Sequence, residues 1–121
     1  MSKKILIVED TEDNRRNLRD HLGMAGYDLT EAHDGAEGVA RASEHKPDLI
    51  LMDIQMPVMD GYEATRRIKA DPALRSIPVI AVTSYALSGD EEKARAAGCD
   101  GYVAKPFSPR QMLAKVREVI G

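Results

Sequence analysis

The residues best suited to chemistry follow short apolar runs at intervals along the chain. They are three acids, two adjacent hydroxyls and a lysine followed by proline: Glu9, Asp10, Asp53, Thr83, Ser84, Lys105 and Pro106. If the runs are parallel strands, these residues meet at the edge of the sheet where ligands of such sheets bind. Three carboxylates held together repel one another unless a cation lies between them. The pattern predicts a Mg²⁺ site with Asp10 and Asp53 as direct ligands.

Each of these residues taken alone also has a structural interpretation. An acid after a strand often forms a turn, and Asp10 followed by Thr11 could cap the first helix. Lys105 could be a solvated surface charge, and Thr83 a satisfied hydroxyl at a strand end. Their order at successive strand ends is what favours a shared site.

The spacing of the apolar runs predicts five strands that alternate with helices. The strands are expected at residues 5–8, 29–32, 49–52, 79–82 and 102–104. Because most of these runs lack alternating polar residues, they indicate a parallel sheet covered on both faces. The predicted fold class is therefore α/β and doubly wound.

The segments between the runs have helical periodicity. The fourth helix, at 87–97, is the least apolar, and the fifth begins with a capping box of Ser108 and Gln111 around Pro109. The predicted buried faces are Leu18, Leu22 and Ala25; Ala36, Val39, Ala40 and Ser43; Ala64 and Ile68; and Leu113, Val116 and Ile120.

Length and composition limit the classes of protein that fit. The 121 residues suit one domain, 1–121, and we expect a complete chain with no output domain. The 17 basic residues are scattered among 20 acids and the net charge is −3, which argues against a nucleic-acid partner. No apolar run approaches the roughly 20 residues of a spanning helix, so we expect no membrane association and a cytoplasmic location. The single cysteine excludes an intrachain disulfide.

Several short motifs, taken together, resemble the receiver domain of bacterial two-component response regulators. The resemblance extends from Lys4 to Ile120. The motifs are Ile7-Val8-Glu9-Asp10 with Asn14, Asp34-Gly35, 47–53, Met56-Pro57 with Asp60-Gly61, 78–83, Gly98 and Lys105-Pro106-Phe107. A receiver of this kind implies a flavodoxin-like fold with strand order 2-1-3-4-5.

The resemblance implies a role for each acid. Asp53 corresponds to the phosphoacceptor, while Asp10 and the backbone carbonyl of Gln55 correspond to Mg²⁺ ligands. Glu9 would act on the metal through water, and because it is one methylene longer than aspartate, we expect a shifted water network. Mn²⁺ is expected to substitute for Mg²⁺.

The resemblance also implies a switch. Thr83, with Ser84 beside it, and Lys105 would bind phosphoryl oxygens, and a cis peptide bond before Pro106 would aim Lys105 into the site. Tyr102 would be the aromatic residue that moves with Thr83. Gln55 and Tyr85 lie two residues beyond Asp53 and Thr83, where family members tune dephosphorylation.

The function implied is that of a single-domain response regulator in a phosphorelay. A histidine kinase or histidine phosphotransfer protein would donate the phosphoryl group. A downstream protein would bind the face of the fourth helix, fifth strand and fifth helix. The chain would be no enzyme beyond its own phosphorylation and dephosphorylation, and it would be a monomer or a weak dimer formed on phosphorylation.

Three other functions fit the sequence less well. A haloacid dehalogenase phosphatase needs a second carboxylate two residues after its nucleophile, where this chain has Gln55. A pseudo-receiver that only binds partners usually lacks one of the acids or the lysine. A flavin-binding protein needs a phosphate-binding loop after the first strand, where Thr11-Glu12-Asp13 would repel phosphate.

Overall fold

A computed structural model describes residues 3–83 and 90–121, and within them five strands alternate with five helices. The strands form one parallel sheet in the order β2-β1-β3-β4-β5, which confirms the predicted fold class and strand order. The elements are β1 Lys4–Val8, α1 Glu12–Met24, β2 Asp28–Ala32, α2 Gly35–His45, β3 Leu49–Asp53, α3 Gly61–Ala70, β4 Val79–Thr83, α4 Asp90–Ala97, β5 Gly101–Ala104 and α5 Pro109–Ile120.

The sheet divides the core into two clusters because successive strand residues face opposite sides. Ile5 and Ile7 of β1 pack in one cluster with apolar residues of α1 and α5. Leu6 and Val8 pack in the other with residues of α2, α3 and α4. Helices therefore cover both faces, as the apolar strands indicated.

Side-chain caps fix where three helices begin. Asp34 accepts a hydrogen bond from the Glu37 amide, and Asp60 accepts one from the Glu63 amide. Ser108 and Gln111 form the predicted capping box of α5. The cap position of α1 is held by Thr11, without a side-chain cap bond, rather than by Asp10.

The predicted buried face of α2 is wrong. We expected Ala36, Val39, Ala40 and Ser43 to face the core, but only Val39 is even half-buried. The buried residues are Gly35, Gly38 and Ala42. A Cβ atom on Gly35 would clash with the Met59 backbone, and one on Gly38 would lie 3.0 Å from Val8 methyl groups. Glycine allows α2 to pack this closely, and a search for apolar periodicity misses it.

The other predicted faces agree with the structure in their central residues: Leu18 and Leu22, Ala64 and Ile68, and Val116 are buried. The start of the predicted fourth helix, 87–89, lies outside the described residues. None of the helices within the described ranges is both long enough and apolar enough to cross a bilayer.

Candidate functional site

Three carboxylates gather at the edge where β1 and β3 end. Glu9 and Asp10 follow β1, and Asp53 is the last residue of β3, which pairs with β1. One oxygen from each carboxylate lies within 4.8 Å of the others. Glu9 and Asp53 are buried, whereas Asp10 is exposed. The acids that the sequence predicted at this edge are thus brought together.

The backbone directly after Asp53 is held by two hydrogen bonds of Ile54. The Ile54 amide donates to the Val82 carbonyl oxygen at 3.0 Å, and the Gly61 amide donates to the Ile54 carbonyl oxygen at 2.9 Å. A Cβ atom on Gly61 would clash with the Asp53 carbonyl oxygen, so only glycine allows α3 to begin here. These contacts orient Asp53 into the site.

Lys105 reaches the acids from the segment after β5. Its amide donates to the Thr83 carbonyl oxygen at 2.7 Å, which places it next to the end of β4. The peptide bond between Lys105 and Pro106 is cis. The lysine Nζ lies 2.9 Å from Oε1 of Glu9 and 3.7 Å from Oδ1 of Asp53. Lys105 thus forms ion pairs with acids at the ends of two different strands.

Glu9 is held by more partners than the sequence suggested. Asn14 donates to its Oε1 and the Thr11 amide to its Oε2, both at 3.2 Å. Arg15 Nη1 donates to its backbone carbonyl oxygen at 2.7 Å. The sequence motifs included Asn14 but predicted no role for it, and Arg15 was not predicted to belong to the site. The available signal was that Arg15 shares the buried face of α1 with Leu18.

The two buried acids, Glu9 and Asp53, have pKa values shifted in opposite directions. Burial, a hydrogen bond to Glu9 and the charge of Glu9 raise the pKa of Asp53 to about 7. Burial alone would raise the pKa of Glu9, but hydrogen bonds from Asp53 and Lys105 lower it to about 2. Glu9 is therefore the ionised partner of Lys105, and Asp53 holds its proton to a higher pH than an ordinary aspartate does.

This donor set fits a hard divalent cation. Glu9, Asp10 and Asp53 offer carboxylate oxygens at one point, which is the ligand type that Mg²⁺ prefers. A raised carboxyl pKa beside another acid is the electrostatic condition that a bound cation relieves. The amide of Gln55 donates to Oδ1 of Asp53 at 3.4 Å, so Gln55 lies beside the same carboxylate.

Of the remaining predicted residues, the structure describes Gln55, Thr83 and Tyr102. The buried Thr83 and the half-buried Gln55 line a cavity of about 510 Å³ with Lys93 of α4. Tyr102 of β5 is half-buried and packs against the core cluster of α2, α3 and α4. Ser84 and Tyr85 lie outside the described residues.

A family model for the response regulator receiver domain matches residues 5–117. The chain belongs to the response regulator receiver family. It is 45% identical to the polar-differentiation response regulator DivK of Brucella anthropi over 121 residues, which are 100% of this chain and 98% of that protein. DivK of Brucella ovis has the same identity and coverage.

Solved receiver structures agree with this assignment. The receiver domain of the sensor histidine kinase PA1611 from Pseudomonas aeruginosa is 40% identical, with a TM-score of 0.92 over 100% of this chain and 99% of that one. In that structure a magnesium ion is coordinated in the active-site cleft. The chemotaxis protein CheY4 of Vibrio cholerae is 29% identical, with a TM-score of 0.93 over 98% of this receiver and 99% of CheY4.

Proposed function

We propose that this receiver accepts a phosphoryl group on Asp53 in a phosphorelay and signals by binding another protein. The observation that carries the proposal is the position of the Asp53 carboxylate. It lies at the sheet edge beside two further acids, Glu9 and Asp10, and Lys105 Nζ is 3.7 Å away. The magnesium ion in the active-site cleft of the PA1611 receiver, a chain 40% identical, supports metal binding at this site.

The reaction is an in-line displacement at phosphorus. An Oδ atom of Asp53 forms a bond to phosphorus as the bond between phosphorus and a donor histidine nitrogen breaks. The electron pair of that bond stays on the donor, which leaves as neutral imidazole with a proton on its other nitrogen. Bound Mg²⁺, or Mn²⁺ in its place, would neutralise charge on the transferring group.

The chain's own residues divide the remaining work. Asp10, Asp53 and the Gln55 carbonyl would hold the metal directly, and Glu9 would hold it through water. Thr83 and Lys105 would bind phosphoryl oxygens, since a hydroxyl and an ammonium both donate hydrogen bonds and the ammonium also offsets the negative charge. The domain catalyses only its own phosphorylation and dephosphorylation, the latter tuned by Gln55 and Tyr85.

The proposed partners follow from the same chemistry. A histidine kinase or histidine phosphotransfer protein supplies the phosphoryl group. The added negative charge gives Thr83 and Lys105 new partners, and the change reaches Tyr102 through the pairing of β4 with β5. The output surface is the face of α4, β5 and α5, where all four residues of β5 are half-exposed.

The test is phosphorylation with a small-molecule donor. The protein is incubated with phosphoramidate or acetyl phosphate, with and without Mg²⁺, and its intact mass is measured. We expect an increase of about 80 Da that requires the metal. Asp53→Asn should abolish it, while Asp48→Asn, directly before the first residue of the same strand, should not. Metal binding without any mass increase would refute phosphorylation and favour a pseudo-receiver.

A further inference from the structure

Arg15 is a buried cation that no step of phosphoryl transfer uses. Its side chain is 9% exposed and lies on the α1 face that also carries Leu18 and Leu22. Nη1 donates to the Glu9 carbonyl oxygen at 2.7 Å, and Nε lies 3.5 Å from Oε1 of Glu31. Apolar residues can often replace a buried ion pair without loss of stability. Stability alone is therefore a weak explanation for this arginine.

The Glu9 carbonyl lies where β1 stops pairing with β2. The paired register ends at Val8 and Ala32, and the Glu9 amide makes a last bond to the Ala32 carbonyl oxygen at 3.1 Å. The carbonyl oxygen of Glu9 itself accepts a hydrogen bond from the guanidinium of Arg15. The sheet restrains the backbone of β1 up to Val8. Beyond it, the side chain of Arg15 restrains the backbone at Glu9.

That carbonyl belongs to the peptide joining Glu9 to Asp10. Because a peptide is planar, fixing its oxygen fixes the direction in which the chain enters Asp10. Glu9 and Asp10 supply two of the three acids that meet within 4.8 Å. Building on the function proposed above, we propose that Arg15 is a positioning residue that holds the Glu9–Asp10 peptide in the orientation needed to bind the metal.

Arginine suits this task better than lysine. Its extended guanidinium donates from Nη1 to the Glu9 carbonyl while Nε stays in an ion pair with Glu31 at 3.5 Å, whereas a lysine ammonium is a single point of charge. Glu31 also binds Arg19 at 3.0 Å and so anchors two arginines of α1 to β2. Arg19 is exposed and lies one turn further along α1. It is therefore a matched control on the same helix.

The experiment measures Mg²⁺ affinity by calorimetry and Mn²⁺ affinity by electron paramagnetic resonance in the wild type, Arg15→Met and Arg19→Met. Removing a positive charge near a cation site should by electrostatics alone strengthen metal binding. Loss of positioning should weaken it, roughly tenfold for Arg15→Met, as for other residues that orient metal ligands. Arg19→Met should stay within about twofold of the wild type because its charge is exposed and screened.

A second readout requires no metal. In the metal-free protein, the amide nitrogen of Asp10 belongs to the peptide that Arg15 holds, so its NMR chemical shift should change in Arg15→Met and not in Arg19→Met. If Arg15→Met does not fold, Arg15→Lys replaces it, with a smaller loss of affinity and the same shift in the Asp10 amide.

Three results would overturn the inference. Unchanged or tighter metal binding in the Arg15 variant would refute positioning while leaving phosphorylation of Asp53 intact. An equal loss in Arg19→Met would assign the effect to the shared Glu31 anchor instead. Failure of the wild type to bind Mg²⁺ or Mn²⁺ would refute the positioning role together with the proposed function.

Discussion

Lys105 donates a hydrogen bond from Nζ to Oε1 of Glu9 at 2.9 Å. The lysine is farther, 3.7 Å, from the carboxylate that we propose as phosphoacceptor. Glutamate is one methylene longer than aspartate, and this length carries its carboxylate to the lysine while its backbone stays at the end of β1. In the metal-free protein Lys105 is therefore held mainly by Glu9.

Replacing Glu9 by glutamine should lower the pKa of Asp53. Burial and Glu9 together raise that pKa to about 7, and the variant removes the negative charge and leaves Lys105 to pair with Asp53. Carbon-13 NMR of the Asp53 carboxyl group during a pH titration without metal measures the change. Glu12→Gln, at an exposed position on α1, is the control. An unchanged or higher pKa in Glu9→Gln would contradict this coupling.

Metal affinity should depend on pH through the same carboxyl group. Below a pKa of about 7, Asp53 must lose a proton before it can bind Mg²⁺. The affinity should fall as the pH falls, by up to about tenfold per pH unit. Calorimetry in two buffers with different heats of ionisation should show proton release on binding at pH 6. An affinity that stays constant from about pH 5.5 to 8 would exclude this competition.

Asp53→Asn should stabilise the metal-free protein at pH 8. The pKa of Asp53 is about 7 in the folded chain against an ordinary value of 3.8, so the folded state holds a proton that the unfolded state loses between those values. The wild-type free energy of unfolding should therefore fall as pH rises from about 4 to 7, by on the order of 3 kcal/mol. Urea denaturation at pH 5 and pH 8 should show this fall in the wild type and a smaller one in the variant. The prediction fails if the two proteins show the same pH dependence.

Two glycines should respond to alanine in opposite directions. Gly61→Ala should destabilise the fold by about 1–3 kcal/mol, because the added methyl meets the Asp53 backbone. Gly23→Ala should stabilise it by up to about 1 kcal/mol, since its nearest neighbour is 3.8 Å away and alanine favours helix. Urea denaturation measures both changes. Equal effects at the two sites would refute the close approach of α3 to β3.

Lys69 should matter for stability and not for metal binding. At the sheet edge opposite the site, its Nζ donates to the carbonyl oxygens of Arg75 and Ile77 and to Asp100 at 2.8–3.1 Å. Lys69→Met should cost about 1–3 kcal/mol because these acceptors lose their donor. Lys115→Met, which breaks a 3.7 Å pair with the exposed Glu118, should cost less than about 1 kcal/mol. A change in Mg²⁺ affinity in Lys69→Met would show that the two edges are coupled.

The sequence predicted most of the fold and the central acids because both depend on local patterns. Apolar runs of strand length marked β1, β3 and β4, and the acids followed them directly. The face of α2 was mispredicted because its packing depends on Gly35 and Gly38, which have no side chain to mark a buried position. Arg15 was missed because its partners, Glu9 and Glu31, become neighbours only once β1 pairs with β2. The one signal of such a contact was a charged residue whose helical spacing places it on a buried apolar face.

The apolar pattern of β3 does not by itself determine how this strand aligns with its neighbours. All five of its residues are buried, and Leu49 and Leu51 could exchange sides with Ile50 and Met52 at little hydrophobic cost. Polar groups at the two ends oppose such a slip. Asp48, before the strand, binds the backbone of Lys4 through both its amide and its carboxylate. Asp53, at the other end, lies 3.7 Å from Nζ of Lys105. The residue proposed to carry the signal thus also contributes to holding β3 in its observed alignment.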